Sequence, residues 1–492
     1  MLLLFIALGL LFLYCFERRR RHAQFWKHIW KIPGPKGIPI IGTHYRIFTE
    51  KELWLRDRIN AKKFYPLFKL WCFEIVVVYV ICPDDIETIL NSKVHINKSF
   101  VYDFFKDWIG DGLFVTNAKK WHKRRKLLTP AYHFNILQKS VDAFNTETER
   151  LIGRLKGDCH KSYLNVVDLA KDFAMYCVGE TSVGLPVCDH KNYEKYKNAA
   201  RDYLELQAAK AANPLVLVPA LYKWTWIYRK SMEVISILQE FSSSVLAEKK
   251  QRIQEDKQYF EKEKSLGLLD LLLKAREDGA DIDDTGIREE VDTFIFAGHD
   301  TTATSLSFIL FALGNEPDIQ EQIYEETVNI LGKSKTPTFN QLRELKYLER
   351  CIKEALRLYP IAHAVSRKAG EDIKTKNGCV IPKGCNIFID IFDVHRRPEI
   401  WENPDKFDPD RFLPEVTAKR SPFAYIPFSA GSRNCIGQKY AMLELKVVLC
   451  GIIRHFTLKS QKRPDEIELS ADIFLKVKDR TLNVKFTPRT KH

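Results

Sequence analysis

The chain has 492 residues, 45% hydrophobic and 28% charged, with a formal net charge of +14. After residue 40 it contains no long Gly/Ser/Pro linker, low-complexity tract or internal repeat, so one large globular unit is favoured over the roughly three domains that length alone suggests. Its 11 cysteines are scattered and never form a CxxC pair, which argues against a disulfide framework or a zinc ribbon, and its basic residues follow no DNA- or RNA-binding pattern, so no nucleic-acid partner is expected.

The segment from Leu2 to Phe16 is apolar and runs directly into Arg18 to Arg21. Its 15 residues make about 22 Å of helix against a hydrocarbon core of about 30 Å, a difference that local bilayer thinning accommodates. A cleaved signal fits poorly, because no positive charge precedes the apolar run and four arginines follow it. The positive-inside rule then keeps the rest of the chain cytoplasmic, with Trp26 and Trp30 expected at headgroup level. "KIPGPKGIPIIG" alternates proline and glycine and admits neither helix nor strand, so it reads as a stiff hinge. Residues 1–30 are therefore expected to form a membrane anchor and basic linker, and residues 31–492 a single domain.

Helix is expected to dominate the body, with strands confined to small sheets such as "FEIVVVYV" and "CNIFIDI". "KKWHKRRKLLTPAYHF" places Trp121 and Arg125 one helical turn apart among further lysines and arginines. "NPLVLVPALYKWTWIY", Asn213 to Tyr228, is apolar and tryptophan-rich between polar helical stretches, the pattern of a membrane contact or a buried loop. "TGIREEVDTFIFAGHDTTATSLSFILFALG" reads as one helix of nearly thirty residues, with Asp283 and Asp284 at its positive end and Gly314 closing it. It is apolar almost all round, as a central buried helix is. Its middle nevertheless carries Gly298, His299, Asp300, Thr301 and Thr302, although a mid-helix glycine costs about 1 kcal/mol and buried polar groups need partners. A helix from Pro317 to Leu331 follows, and then "LRELKYLERCIKEALRLYP", with Leu345, Leu348, Ile352 and Leu356 on one stripe. Glu354 and Arg357 share a face of that last helix.

In "PFSAGSRNCIGQ", Gly431 and Gly437 allow tight backbone beside Cys435. Arg433 and the free amides of a turn entering a helix favour a thiolate there. A small buried thiol is the alternative from these residues alone.

The spacing F-x-x-G-x-R-x-C-x-G, on Phe428, Gly431, Arg433, Cys435 and Gly437, resembles the haem-binding signature of the cytochrome P-450 monooxygenases. Glu354 with Arg357 and the downstream "FDPDRF", with Arg411, are similar to that family's E-x-x-R and P-x-R-F elements, which hold the ligand loop. Trp121 and Arg125 are similar to its W-x-x-x-R, in which the arginine meets a haem propionate. The resemblance covers essentially the whole chain. It implies a mainly α fold with small β-sheets (α+β), haem lying between the long central helix and the cysteine loop, and Cys435 as the metal ligand.

The resemblance further implies that Ala297 and Gly298 flank the haem, Gly298 by removing bulk, and that Asp300 relays protons while Thr301 positions the donor. His299 as a second axial ligand is rejected, since such a ligand blocks oxygen. "EVDTFIFAGHDTT" and "KWHKRRKLLTPAYHF" resemble most closely family 4, the clan of fatty-acid ω-hydroxylases and many insect members. Many of these carry a glutamate, esterified to a haem methyl, where this chain has Ala297, so non-covalent haem b is expected. The implied reaction is hydroxylation of a lipophilic substrate with O2 and electrons from NADPH, delivered by the NADPH-cytochrome P-450 reductase. Cytochrome b5 is a possible second donor, and the setting is the endoplasmic reticulum membrane. Lys119, Lys120, Lys123, Arg124, Lys126 and Lys439 are the expected docking cations. Tyr102, Phe105 and Trp108 are expected to roof the substrate space, with Ile361 to Val365 and Ile473 to Leu475 at the haem edge. A haem-thiolate isomerase or dehydratase, or a non-enzymatic haem carrier, are the other readings.

Overall fold

The computed structural model describes residues 16–38, 42–43, 49–158, 162–213, 219–256, 258–262, 266–471 and 473–489. The expected anchor therefore lies outside the described residues except for Phe16, and no described helix is long and apolar enough to cross a membrane. In chain order, the helices that position the site are α1 (Ala23–Lys31), α2 (Glu50–Lys63), α3 (Ala118–Leu128), α4 (Phe134–Asp158), α5 (Val166–Val178), α6 (Tyr193–Ala212), α7 (Trp226–Glu255), α8 (Asp284–Leu313), α9 (Pro317–Leu331), α10 (Lys346–Leu358) and α11 (Gln438–His455). Strands are few and short, as the alternating runs predicted.

Helix α8 is the axis of the larger core. Asp283 caps it by accepting from the Gly286 amide at 2.8 Å, Gly314 ends it, and residues such as Leu306, Ile309 and Leu313 are wholly enclosed. Helices α5, α7 and α10 pack around it, and α11 lies against α4. The expected helix through Leu345 is divided in two, Phe339–Glu344 and α10. The Glu326 carboxylate accepts from the amides of Tyr347 and Leu348 at 2.6 and 2.9 Å, capping a new helix start. The predicted stripe survives the break, since Leu345, Leu348, Ile352 and Leu356 are all buried.

A second core lies under a four-stranded sheet of β1 (Leu67–Cys72), β2 (Ile75–Val80), β3 (Val365–Lys368) and β4 (Asn386–Ile389), in the order β1-β2-β4-β3. The two strands read from sequence, β2 and β4, pair in parallel with Val78 opposite Ile387, and the other pairings are antiparallel. One expectation at the start of the domain is corrected here. Trp26 is covered by protein and not open to headgroups: it is 4% exposed and packs its ring edge-on against Trp71, while Trp30 remains half exposed. The stiff Pro/Gly stretch is fastened to the body, because Lys69 of β1 donates its amide to the Pro33 carbonyl at 2.8 Å. A Cβ on Gly34 would lie 2.5 Å from the Lys69 carbonyl oxygen, so glycine permits this close approach.

Candidate active site

The cysteine loop is built by backbone restraints. The Cys435 amide donates to the Phe428 carbonyl at 2.9 Å, and that of Asn434 to Gly431 at 3.2 Å. Gly431 sits at φ +71°, where a Cβ would lie 2.0 Å from the Leu90 carbonyl oxygen, so only glycine fits. Gly437 is different. Its backbone is ordinary, and a Cβ there would meet only the Cys435 sulfur and Tyr132, both at 3.9 Å, so what glycine preserves is open space beside the sulfur. The sulfur opens on a cavity of ≈ 400 Å³. Burial raises the thiol's pKa, and the Gly437 amide and the Arg125 guanidinium act against that rise.

Behind the loop, the predicted ion network is present, with Glu354 and Arg357 fully enclosed and Arg411 partly so. Arg357 binds Glu354 through two bonds of 2.7 Å and donates to the carbonyls of His395, Pro404 and Lys406. Arg411 approaches the same carboxylate at 3.4 Å, and Glu354 also accepts from the Asp408 amide. Histidine 395 anchors the loop from its other end, its Nε2 accepting from the Ile426 amide at 2.9 Å.

Helix α8 supplies the facing residues. Ala297, Gly298, Thr301 and Thr302 line the cavity, and Thr301 donates to the Ala297 carbonyl one turn back at 2.6 Å. Its neighbours turn elsewhere. Asp300 lies 3.6 Å from the Lys171 ammonium of α5, and His299 is buried outside the cavity lining, its pKa lowered to about 4 by that burial. A Cβ on Gly298 would meet Val178 of α5 at 2.9 Å, a residue that lines the same cavity, so glycine also permits the close approach of α5 to α8 there.

The cavity is apolar over most of its wall, with Leu113, Phe114, Phe294 and Leu445, and cationic at one edge. Lys98, Arg125 and Arg433 line it, and Arg367 is buried next to them. Trp121 lies beneath Arg433, with the guanidinium 5.0 Å from the ring centre. Arg433 donates to the carbonyls of Ile96 and Thr116, and Arg125 to the backbone and side-chain oxygens of Asn434. Burial pulls the Arg433 guanidinium down to about 9, and Lys98 falls well below the usual range through burial first and then the charges of Arg367 and Arg433. Asp57 is the carboxylate in the described lining, and it is already bonded by Tyr79 and Arg56. Clustered buried cations without acids to balance them fit a ligand with anionic edges. With a thiol and kept-open space beside it, the donor set fits haem. Lys98 and Arg367 were missed from sequence; Lys98 lies in a loop and Arg367, beside Lys368, on β3, and only the fold brings them to the site.

Further out, Tyr102, Phe105, Ile361 to Val365, Ile473 and Phe474 line the cavity as expected. Trp108 and Leu475 do not: Trp108 is wholly buried with its indole N–H on Asp292 at 3.2 Å, and Leu475 packs into the core. Among the expected docking cations, Arg124 is 7% exposed and lies 3.7 Å from Glu290, so it belongs to the α3–α8 packing. Lys120 is held near Asp111 and Glu289 and Lys123 is paired with Asp281, whereas Lys119, Lys126 and Lys439 are exposed. In the tryptophan-rich segment, residues 214–218 lie outside the described residues, and beyond them Leu221, Trp224 and Trp226 are exposed at 48%, 86% and 63%.

A loop that presents a thiol to a large apolar cavity, under a central helix interrupted by small and hydroxylated residues, defines the haem-thiolate class of oxidoreductases. Sequence comparison narrows the class: the profile described as Cytochrome P450 matches residues 32–484, and the chain belongs to the cytochrome P450 family. It is 36% identical to cytochrome P450 4c3 of Drosophila melanogaster, over 98% of this chain and 93% of the relative. Against cytochrome P450 4c21 of Blattella germanica the identity is 37%, over 91% of each. Human cytochrome P450 4V2 is 34% identical over 94% of this chain and 90% of its own length. These relatives are family 4 members, and the Ala297 side chain has no carboxylate with which to form a haem ester.

Proposed function

We propose that this protein is an NADPH-driven monooxygenase that hydroxylates a lipophilic substrate, RH + O2 + NADPH + H⁺ giving ROH + H2O + NADP⁺, at the cytosolic face of the endoplasmic reticulum membrane. The observation that carries this reading is a single apolar cavity bounded both by the Cys435 sulfur and by the α8 notch. When bound, haem supplies the oxygen chemistry, with the thiolate pushing electron density towards the iron. Cys435 would ligate its iron and Arg125, Arg433, Lys98 and Arg367 would hold its anionic edge, non-covalently. Thr301, tied to the Ala297 carbonyl, orders the proton donor beside the cavity. Asp300, whose carboxylate lies 3.6 Å from the Lys171 ammonium, moves protons towards it from that side of the helix.

The substrate is taken to be a fatty acid or other lipid, because the lining is apolar and aromatic and the exposed Leu221, Trp224 and Trp226 suit a bilayer surface. Residues 1–30 serve as anchor and linker, with α1 as the end docked on the body, and residues 31–492 form the catalytic domain. Electrons come from the NADPH-cytochrome P-450 reductase, and from cytochrome b5 as a second donor, through a basic face carrying Lys119, Lys126 and Lys439. The test is reconstitution with the reductase and a panel of fatty acids, alcohols and terpenoids. NADPH consumption matched by hydroxylated product is expected. Product formed without NADPH would instead favour an isomerase or dehydratase.

A further inference from the structure

The Pro/Gly stretch has a role that oxygen chemistry does not use. Where it runs over β1 it forms one wall of a second cavity, of ≈ 440 Å³, lined by Arg19, Trp30, Lys36, Lys69 and Trp71 with Gly34 to Gly37. Lys69 is 8% exposed, and its ammonium donates to the Ile32 carbonyl with no carboxylate partner among the described residues. Burial lowers its pKa, as expected for an ammonium lacking a counter-charge. Arg19 is held over the rings of Trp26 and Trp71, at 4.6 and 4.7 Å, and lies 3.5 Å from Glu74, the one acid paired with any of these cations among the described residues. The loop leaves the backbone N–H groups of Gly34, Lys36 and Gly37 without partners among the described residues. Three cations and three unspent amides around one hollow are the chemistry of an anion site, and successive loop amides suit phosphate oxygens in particular.

We propose that this hollow binds a phosphate group, carried by the headgroup of a membrane phospholipid. The lipid source follows from the lining residue Trp30, exposed at 49%, and from Ile38, next to the lining residue Gly37 and exposed at 43%. An indole wall beside an anion site matches the boundary between headgroup and acyl chain. The burial of Lys69 beneath the loop is thereby explained, since a bound phosphate provides the missing counter-charge.

The test is calorimetric titration of the full chain, in maltoside detergent without phosphate, using dihexanoylphosphatidate, dihexanoylglycerol and inorganic phosphate. Saturable binding of the phosphatidate is expected, with none of the glycerol lipid and at least tenfold weaker binding of inorganic phosphate. Lys69→Met should weaken phosphatidate binding tenfold or more, while Lys27→Gln, an equal charge loss on the exposed face of α1, should leave it unchanged. If Lys69→Met lowers the circular dichroism melt, Lys69→Arg serves instead and should retain binding within threefold. Trp30→Ala should weaken the phosphatidate and not the inorganic ion. Equal losses in Lys69→Met and Lys27→Gln would overturn the site in favour of diffuse attraction. Inorganic phosphate bound as tightly as the lipid would overturn its assignment to a headgroup, and binding of dihexanoylglycerol would overturn the anion chemistry.

Discussion

The Cys435 sulfur faces the cavity because its own amide, Gly431 and the open space at Gly437 fix the loop around it. Gly431→Ala should therefore lose the haem-binding form almost completely, the new methyl meeting the Leu90 carbonyl at a positive φ, whereas Gly437→Ala should fold and reveal its defect only on haem addition. These two outcomes are read by comparing apoprotein melting with the haem absorption spectrum. Asp300→Asn should lower turnover by about a hundredfold with the carbon monoxide spectrum unchanged, within the range for a lost proton relay. Lys171→Met should lower it less, because Lys171 only positions the carboxylate. At this scale, the resemblance to the family's motifs pointed to Cys435, Arg433, Trp121 and Arg125, and the structure brings all four to one cavity. The motifs could not disclose Lys98, Arg367 or Lys171, cations whose partners lie far along the chain.

Between elements, buried charge fixes the architecture. Glu354, Arg357 and Arg411 tie α10 to the segment before the cysteine loop. Glu354→Gln should cost about 3–5 kcal/mol, the usual penalty for stranding a buried partner, seen as a lower melting temperature and loss of thiolate ligation. A second device joins α8 to the segment above the cavity: Asp292 accepts from Trp108, and burial raises its pKa to about 7. Because the folded state holds a proton that the unfolded chain releases, this contribution is full below the ordinary carboxylate range and is lost as pH rises through 7. The wild-type melting temperature should fall more steeply than that of Asp292→Asn as pH rises from the ordinary carboxylate range to about 7, and equal slopes would contradict this. Helix periodicity made α8, α9 and the stripe of α10 legible in sequence. The break at Leu345 was not, because the Glu326 carboxylate that caps the new start comes from another helix.

Across the whole molecule, the excess of positive charge is divided among structural pairs, the cavity edge and exposed faces. Arg124 and Lys120 looked like surface residues in a basic run, yet their carboxylate partners come from α8 and the loop before α3, which no local pattern shows. The exposed Lys119, Lys126 and Lys439 remain for an acidic partner. Reversing Lys119 and Lys126 to glutamate should lower reductase-driven turnover about tenfold at low salt and leave peroxide-driven turnover unchanged, a signature of electrostatic docking. Equal losses by both routes would remove that role. The most direct test of the account is the reduced-plus-carbon-monoxide difference spectrum of the wild type and Cys435→Ser. The wild type should show the band of thiolate-ligated haem and the variant should lose it. Retention of that band in the variant, or nitrogen ligation in the wild type, would contradict the assignment of Cys435 and the chemistry built on it.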